Sequence, residues 1–295
     1  MDGVKNWLRE PRHREYGLLM VLALATAAVW YAVYAQTPRG ALVFATLNIG
    51  QGDALYIESP TGVSVLLDGG PDASVLSELS KVMLPFDRTI DAVIESHPDA
   101  DHIAGLVDVL ARYHVGAFIE PGIPDSTATS KALEQEVADE KIPHYIARRG
   151  MLLDLGGGAY LQILFPDYDV SHLPSTKTNE GAIVARLIYG KTSVMLTADA
   201  PFSTEDHLLA LDGGGLQSDI LKVGHHGSKY STGSAFVAAV HPSLAVISVG
   251  ANNKYGHPSQ LALDTLASFH IPILRTDQDG TLIFESNGQE FWRMP

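Results

Sequence analysis

The sequence predicts an α/β domain in which two β-sheets pack face to face with helices on their outer sides, preceded by one transmembrane helix. An uncharged apolar run at residues 16–35 predicts the transmembrane helix. From residue 42 onward, strand-like runs alternate with helix-like runs in two similar halves, each β-rich at first and then β-α. Each sheet has an apolar face that must be buried, and the two sheets are expected to pack with these faces against each other.

The apolar run at residues 16–35 matches the thickness of the hydrocarbon layer, because it holds 20 residues without a charged side chain. Basic residues crowd the segment before it and are sparse after it: Lys5, Arg9, Arg12 and Arg14 precede, and Arg39 follows. By the positive-inside rule we expect a cytoplasmic tail at 1–15, a single-pass helix at 16–35 in the cytoplasmic membrane, and a domain at 40–295 on the extracytoplasmic side. A cleavable signal peptide and a buried core helix are the alternatives.

Composition narrows the classes of function. The 295 residues are 46% hydrophobic, enough for one large core, and carry a formal net charge of −14. That acidity argues against a broad nucleic-acid-binding surface, although a local basic patch in a cleft is compatible with it. The chain has no cysteine, so any metal ion must be held by imidazole and carboxylate groups.

Turn signals separate the predicted elements of the domain. The predicted strands are 42–49, 54–58, 63–67, 92–95, 115–119, 160–165, 182–189, 193–196, 220–223 and 244–249. Helices are predicted at 103–113 and around 131–141, and further helical segments alternate with the last strands. The polar, turn-rich stretch 167–179 is expected to form a surface loop near the site.

A cluster of potential metal ligands lies between a predicted strand and a predicted helix. His97, Asp99, Asp101 and His102 fall within six residues. In an extended turn, positions 97, 99 and 101 can point to one side, and His102 beside Asp101 lets neighbouring residues serve different ions. A capped helix start is the alternative for the two aspartates, but capping does not need two histidines. The spacing therefore predicts a metal site.

Further motifs rich in glycine, histidine and aspartate follow other predicted strands. In chain order, with the ligand cluster included, they are Gly50-Gln51-Gly52-Asp53, Leu67-Asp68-Gly69-Gly70, residues 97–102, Leu196-Thr197-Ala198-Asp199, residues 221–228 and Tyr255-Gly256-His257-Pro258. Together these motifs resemble the metallo-β-lactamase superfamily, and within it the hydrolase domain of the ComEC competence proteins. The resemblance covers about residues 42–285 and implies a four-layer αββα metallo-β-lactamase fold with two divalent metal ions.

The resemblance also implies two ligand sets that share one carboxylate: His97, Asp99 and Asp199 for one ion, and Asp101, His102, His225 and Asp199 for the other. Asp99 stands where the wider superfamily has histidine, as it does in the ComEC-like branch. Where the superfamily has a further histidine ahead of the aspartate motif, this chain offers only Asn179. Because carboxylate ligands favour harder ions, Mn²⁺ is a rival to Zn²⁺.

Supporting roles follow from the same resemblance. Asp68 and Asp53 are expected to orient the ligand loop, with ordinary turn aspartates as the alternative. His226 and His257, together with the ligand Asp101, are the expected catalytic residues. His226 stays open between ligand, substrate contact and hydrogen-bonded neighbour, whereas His257 is either a proton donor to the leaving oxygen or a helix-entry residue.

Lysines flank the two C-terminal histidine motifs. Lys222, Lys229 and Lys254 can attract an anionic substrate locally, or they are solvated surface residues, and Lys222 can point away because it lies in a strand-like run. Lys229 and Lys254, with Asn179, form the expected substrate-binding set.

The resemblance implies a metal-dependent phosphodiesterase or nuclease that acts on DNA, in particular single-stranded DNA, outside the cytoplasmic membrane. It does not extend to the multi-span channel domain of ComEC proteins, so a separate channel protein is an expected partner. The alternatives are a hydrolase of a small ester, lactam or thioester, and a non-catalytic membrane-anchored binding module. Metal content separates the binding module from the enzymes.

Overall fold

The structure, a computed structural model, describes residues 11–35 and 40–295. It divides into two compact units, one that contains the N-terminal helix and residues 84–87, and one that contains the rest of the described chain. Most of the predicted tail at 1–15 lies outside the described residues.

In the first unit, helix α1 runs from Pro11 to Ala35. Its segment Arg14–Val33 is long and apolar enough to cross a membrane by length and composition, and none of it is buried. The predicted N-terminal apolar helix is therefore confirmed, and its exposure argues against a buried core helix. The helix starts before residue 16 because Arg and Glu, which dominate the preceding turn, are good helix formers.

The larger unit contains short strands and helices. Its helices are α2 (Ser74–Val82), α3 (Ala100–Leu110), α4 (Ala128–Asp139), α5 (Phe202–Asp212), α6 (Ser234–Val240), α7 (Gln260–Ser268) and α8 (Thr276–Asp279). Its strands are β1 (Leu42–Thr46), β2 (Leu55–Glu58), β3 (Ser64–Leu67), β4 (Thr89–Ile90), β5 (Ala92–Ile94), β6 (His114–Val115), β7 (Phe118–Glu120), β8 (His144–Ile146), β9 (Leu152–Gly156), β10 (Ala159–Phe165), β11 (Val184–Tyr189), β12 (Thr192–Leu196), β13 (Ile220–Lys222), β14 (Leu244–Ile247), β15 (Ile273–Arg275), β16 (Leu282–Ser286) and β17 (Phe291–Arg293). Three 3₁₀ turns lie at Thr178–Gly181, Gly213–Leu216 and Gly224–Gly227 among the described residues.

Two large sheets contain most of the strands. The first has eight strands in the order β17-β16-β1-β2-β3-β5-β7-β8, and the second has seven in the order β15-β14-β13-β12-β11-β10-β9. In each sheet, one side is antiparallel and the other parallel, the parallel parts being β3-β5-β7-β8 and β12-β13-β14-β15. The parallel strands are joined through helices, as parallel pairing requires a crossover.

Three core clusters separate four layers. The inner cluster joins both sheets and includes Phe44 from β1 and Leu187 from β11. An outer cluster joins the opposite face of the first sheet, with Ala45 next to Phe44, to helices α2–α4. A third joins the outer face of the second sheet to α5–α7. Because successive side chains of a strand point to opposite faces, both faces of each sheet are covered, and the predicted αββα arrangement is confirmed.

The C-terminal strands return to the first sheet, which the division into two halves did not predict. β16 pairs antiparallel with β1, so the last strands extend the sheet formed by the N-terminal half. The predicted strand 115–119 is in fact two strands, β6 and β7, separated by Gly116 and Ala117. A Cβ at Gly116 would lie 2.7 Å from the carbonyl oxygen of Asp91, so the chain turns where only glycine fits.

Candidate metal centre

The candidate ligands lie in loops that follow parallel strands of both sheets. The His97–His102 segment follows β5 and leads into α3, and Asp199 follows β12. His225 and His226 lie in the 3₁₀ turn after β13. Since the carboxyl ends of parallel strands meet at one edge, these loops converge, as ligand sites of α/β sheets do.

Asp68 orients His102 from the end of β3. It is fully buried, and its Oδ2 accepts hydrogen bonds from His102 Nδ1 at 2.8 Å and from Ser96 Oγ at 2.7 Å. The Ser96 amide donates to Asp68 Oδ1 at 2.8 Å. Asp68 is therefore more than a turn aspartate: it fixes the ring of His102 and leaves Nε2 directed away from it.

His97 is held by the same network. Because the Ser96 hydroxyl donates its hydrogen to Asp68, the His97 Nδ1–H donates to Ser96 Oγ, 2.9 Å away. The Nε2 atoms of His97 and His102 are buried, and neither has a hydrogen-bond partner among the described residues. Their two rings lie 4.1 Å apart between centroids. Two imidazole Nε2 atoms thus face one small volume.

Asp199 lies at the centre of the site. Its Oδ1 is buried without a hydrogen bond from a described residue and lies 3.5 Å from His102 Nε2 and 3.6 Å from His226 Nε2. Its Oδ2 lies 3.3 Å from His225 Nε2. Burial alone would raise the pKa of Asp199, but the neighbouring His226 and His102 outweigh burial and hold the pKa well below its ordinary value. A carboxylate placed between several imidazoles can bridge two cations.

His226 meets the requirements of a ligand more fully than His225. It is 1% exposed, its Nδ1–H donates to the Ser248 carbonyl oxygen at 3.0 Å, and its Nε2 has no partner among the described residues. That Nε2 lies 3.7 Å from Asp101 Oδ2. In contrast, His225 is 28% exposed at its side chain and lies 3.5 Å from the Asn179 amide. Both histidines have positive φ angles, of 54° and 48°, so this turn is held in a strained conformation.

Of the four groups of three donors close enough to share an ion in the described residues, two contain His226 and none contains His225. Within the described chain these groups are His97, His102 and Asp199; Asp101, His102 and His226; Asp53, Asp68 and His102; and Asp53, Asp199 and His226. Asp99 lies at the edge of the cluster, with Oδ2 3.7 Å from His97 Nε2, and its Oδ1 accepts from Thr178 Oγ1 at 2.7 Å. Although Asp99 is the N-cap residue of α3, its side chain makes no capping hydrogen bond. The capped-helix alternative therefore does not account for it.

Asp53 and Lys222 form a fully buried ion pair beneath the centre. Asp53 Oδ1 also lies 3.4 Å from His226 Nδ1. Burial would raise the pKa of Asp53, but the charges of Lys222 and His226 outweigh burial and lower it. Of the roles weighed for Lys222, neither the substrate contact nor the solvated surface lysine is found, because its ammonium group has no exposure. Asp53 is not an ordinary turn aspartate, since it is buried and paired.

His257 borders the site, and two exposed Lys–Tyr pairs lie within a few residues of its histidines in the sequence. The His257 ring is 5.5 Å from that of His225 and is stacked on Tyr255 at 5.8 Å between centroids. Lys254 Nζ lies 5.1 Å from the Tyr255 ring centroid, and Lys229 has the same relation to Tyr230. A line of contacts therefore runs from Lys254 through Tyr255 and His257 to the rim of the metal centre.

The buried histidines differ in charge state. Burial, reinforced by His102, lowers the pKa of His97 to about 3, so its ring is neutral at physiological pH. Burial also acts against the charged form of His102, but Asp199 and Asp68 outweigh burial and raise its pKa well above the ordinary value. The pKa of His257 is lowered to about 4, first by burial and then by His225. Without an ion, protonated His102 thus offsets the charge of the carboxylates around it.

Comparison with known proteins identifies the family. A family model described as the metallo-beta-lactamase superfamily matches residues 47–251. The chain belongs to the metallo-β-lactamase superfamily. The structure of the metallo-beta-lactamase fold protein YhfI from Bacillus subtilis is similar in fold, with a TM-score of 0.57 at 14% identity over 83% of this chain and 100% of that chain.

The curated relatives of this metallo-β-lactamase domain are ComEC-type competence proteins. It is 33% identical over 259 residues to ComE operon protein 3 of Bacillus subtilis, which is 80% of this chain and 32% of the relative. It is 37% identical over 197 residues to competence protein ComA of Neisseria gonorrhoeae, which is 67% of this chain and 25% of the relative. The resemblance drawn from the motifs is thus confirmed, and the chain spans about a third or less of the relatives' length.

The residues present fit the divalent metal ions that the superfamily implies. Three buried histidines direct an unpaired Nε2 toward the carboxylates, because their Nδ1 atoms are occupied by protein partners: His97, His102 and His226. A set of imidazole and carboxylate donors suits Zn²⁺ and Mn²⁺ alike. A buried imidazole nitrogen without a partner is costly, and a cation supplies the missing interaction.

Several residues important to this geometry escaped the sequence-based prediction. Ser96 and Ser248 hold the Nδ1 sides of histidines. Gly52 belongs to a motif named from the sequence, but its role was not predicted: it allows the first motif to approach the ligand loop. A Cβ at Gly52, whose φ is +135°, would lie 2.0 Å from the Asp101 carbonyl oxygen. Tyr230 and Tyr255 had a signal in the sequence, because the dipeptide Lys-Tyr directly follows the motif 221–228 at 229–230 and overlaps the start of the motif 255–258 at 254–255.

Proposed function

We propose that this chain is a metal-dependent phosphodiesterase that cleaves DNA strands at a dinuclear site. The observation that carries the proposal is the convergence of unpaired Nε2 atoms from His97, His102 and His226 around Asp199. When bound, two divalent ions at such a site lower the pKa of a shared water and stabilise charge on the attacking and leaving oxygens of a phosphoryl centre.

The proposed ligands differ from the sequence-based set at one position. They are His97, Asp99 and Asp199 for one ion, and Asp101, His102, His226 and Asp199 for the other. His226 replaces His225 because its Nδ1 is fixed by Ser248 and its Nε2 is free. His225, partly exposed and near Asn179, then borders the entrance, where both can contact the substrate. Asp68 and Asp53 lie on the Nδ1 sides of His102 and His226, where they orient these two rings.

The mouth of the site suits a nucleic-acid strand better than a small neutral ester. Lys229 and Lys254 provide positive charge beside the metal centre in an otherwise acidic chain. Tyr230 and Tyr255 are 61% and 56% exposed, and exposed aromatic rings can stack on unpaired bases. We therefore propose single-stranded DNA as the preferred substrate. His257, which is stacked on Tyr255, is proposed to contact the leaving oxygen.

We further propose a location at the outer side of the cytoplasmic membrane. The supporting features are the apolar segment 16–35 of helix α1 and the basic residues that precede this segment in the sequence. In this arrangement, residues 1–15 are cytoplasmic, 16–35 cross the membrane once, and 40–295 form the extracytoplasmic domain. A channel protein is a further proposed partner, because relatives of this chain are competence proteins.

Activity is tested with the full chain purified in a nonionic detergent and loaded with Zn²⁺ or Mn²⁺. Substrates are single-stranded DNA, double-stranded DNA and bis(p-nitrophenyl) phosphate, with a β-lactam and a thioester for comparison. We expect DNA cleavage that requires metal and is faster on single strands. If the chain binds metal and hydrolyses the lactam or the thioester but no phosphodiester, the proposed substrate is wrong. If the chain binds no metal, the proposal of a metal-dependent enzyme is wrong.

Orientation is tested separately by adding protease to intact cells. The domain at 40–295 should be digested from outside while it is membrane-bound. Protection of that domain, with only residues 1–15 accessible, would reverse the topology.

A further inference from the structure

A second cavity lies between helix α4 and strands β7 and β8. Its volume is about 400 Å³. None of the residues proposed as metal ligands or substrate contacts lines it. Its apolar walls include Phe118, Leu133 and Val137, and its ionisable groups are Glu95, Glu120, Glu134, Lys141 and His144. The cavity thus combines a hydrophobic lining with an excess of carboxyl groups.

Glu95 is the unusual member of this lining. It directly follows β5, its side chain faces the cavity, and it is only 7% exposed. Among the described residues it has no side-chain hydrogen bond and no ion pair. By contrast, Glu120 accepts from the Gly122 amide at 2.6 Å and pairs with His144 Nε2 at 3.0 Å. A carboxyl group buried without a partner is unfavourable, so a ligand that supplies one is stabilised there.

The chemistry of the lining selects among ligands. An anion is disfavoured by Glu95, Glu120 and Glu134, because His144 is already paired with Glu120 and Lys141 is exposed. A metal ion is disfavoured because, in the described part of the chain, every group of three or more donors close enough to share one lies at the metal centre. An organic cation suits both the carboxyl groups and the apolar walls of the cavity. Its charged head can contact Glu95, and its carbon chain can lie on the apolar walls.

We propose that this cavity binds a small organic cation, a primary amine or guanidine that carries a short apolar chain, with its charged group hydrogen-bonded to Glu95. The site is separate from the metal centre in its residues. It adjoins the centre through the chain, because Glu95 precedes Ser96, whose hydroxyl and amide hold Asp68.

The proposal is tested by titrating n-butylammonium into the full chain in nonionic detergent and measuring the heat of binding by calorimetry. n-Butanol, which has the same carbon chain without the charge, is the control ligand. The variant Glu95→Gln removes the carboxyl group that can carry a negative charge, with little change in shape. Glu136→Gln, on the same helix as Glu134 but outside the lining, is the matched control for charge. Circular dichroism and metal content verify that each variant is folded.

We expect saturable binding of n-butylammonium at roughly millimolar concentration, since few atoms make contact. Glu95→Gln should weaken binding by about tenfold or more, because a charge-assisted hydrogen bond is lost, whereas Glu136→Gln should leave it unchanged. Equal binding of n-butanol, unchanged binding to Glu95→Gln, or no saturable binding would overturn the proposal. If Glu95→Gln does not fold, comparing n-butylammonium with n-butanol on the native chain decides whether binding needs the positive charge.

Discussion

Replacing each of the adjacent histidines separately tests the proposed ligand set most directly. His226→Ala removes an imidazole whose Nε2 lies 3.6 Å from Asp199 Oδ1 and 3.7 Å from Asp101 Oδ2. His225→Ala removes a ring that lies near the same Asp199 but is partly exposed. If His226 is the ligand, the two variants must differ in metal content and not only in rate.

The magnitude follows from the surroundings of His226. Removing a group that only orients a ligand weakens metal affinity by about 10–100-fold. Loss of the ligand itself should cost at least the upper end, about 100-fold or roughly 2.7 kcal/mol. One of the two ions should therefore be lost from His226→Ala on dialysis, whereas His225→Ala should keep both and lose activity through weaker substrate contact.

The assay is metal analysis by mass spectrometry after dialysis of the full chain in detergent, followed by titration with Zn²⁺. His172→Ala, which removes an exposed histidine from a surface loop, controls for the loss of an imidazole. The assignment of His226 as the ligand is wrong if His225→Ala loses an ion while His226→Ala keeps both. That result would restore His225 to the ligand set predicted from the motifs.

Three further substitutions test the surrounding network. Asp199→Asn should lower both metal content and hydrolysis, because the central charge is lost, and two ions per chain with undiminished activity would contradict the bridge. His257→Ala should keep its metals and slow substrates with poor leaving groups by on the order of 10²-fold, with activated aryl phosphodiesters affected less; equal slowing of both would mean that His257 positions substrate. Lys222→Met should destabilise the fold by about 3–5 kcal/mol, measured by thermal unfolding, because Asp53 stays buried without its ammonium partner. In the native chain, the stabilisation by the Asp53–Lys222 pair is complete at neutral pH, because the pKa of Asp53 is lowered. It is lost only as the pH falls below the ordinary carboxyl range. An unchanged Tm for Lys222→Met would contradict a stabilising pair.

The ligand loop was predictable because its information is local. His97, Asp99, Asp101 and His102 are adjacent in sequence, follow a strand and precede a helix, so their spacing alone brings them to one place. The layers of the fold were predictable for a similar reason, since strand-like and helix-like runs alternate. The C-terminal return of β16 to β1 was not, because pairing across more than 200 residues leaves no local pattern.

The choice between His225 and His226 depended on contacts that the sequence does not reveal. Both residues follow the same strand, and only the position of the Ser248 carbonyl, 22 residues later, selects the ring whose Nδ1 is fixed. Lys222 is a similar case. A lysine next to a histidine motif indicates a substrate contact, yet its partner Asp53 lies 169 residues earlier and holds it inside the protein.

The fixed rings predict what happens when metal is removed. Ser96, Asp68 and Ser248 hold the Nδ1 atoms of His97, His102 and His226 whether or not an ion is present.

We therefore expect the full chain to keep its secondary structure after treatment with a chelator and to regain activity when metal returns. Binding should still raise stability, by about 2.7 kcal/mol at a free metal concentration 100 times Kd. Circular dichroism and thermal unfolding with and without chelator measure both effects. Loss of the far-ultraviolet signal on chelation would mean that the ion, and not the hydrogen bonds behind the histidines, organises the site, because a centre built by its ligands' protein partners has no need of the ion in order to fold.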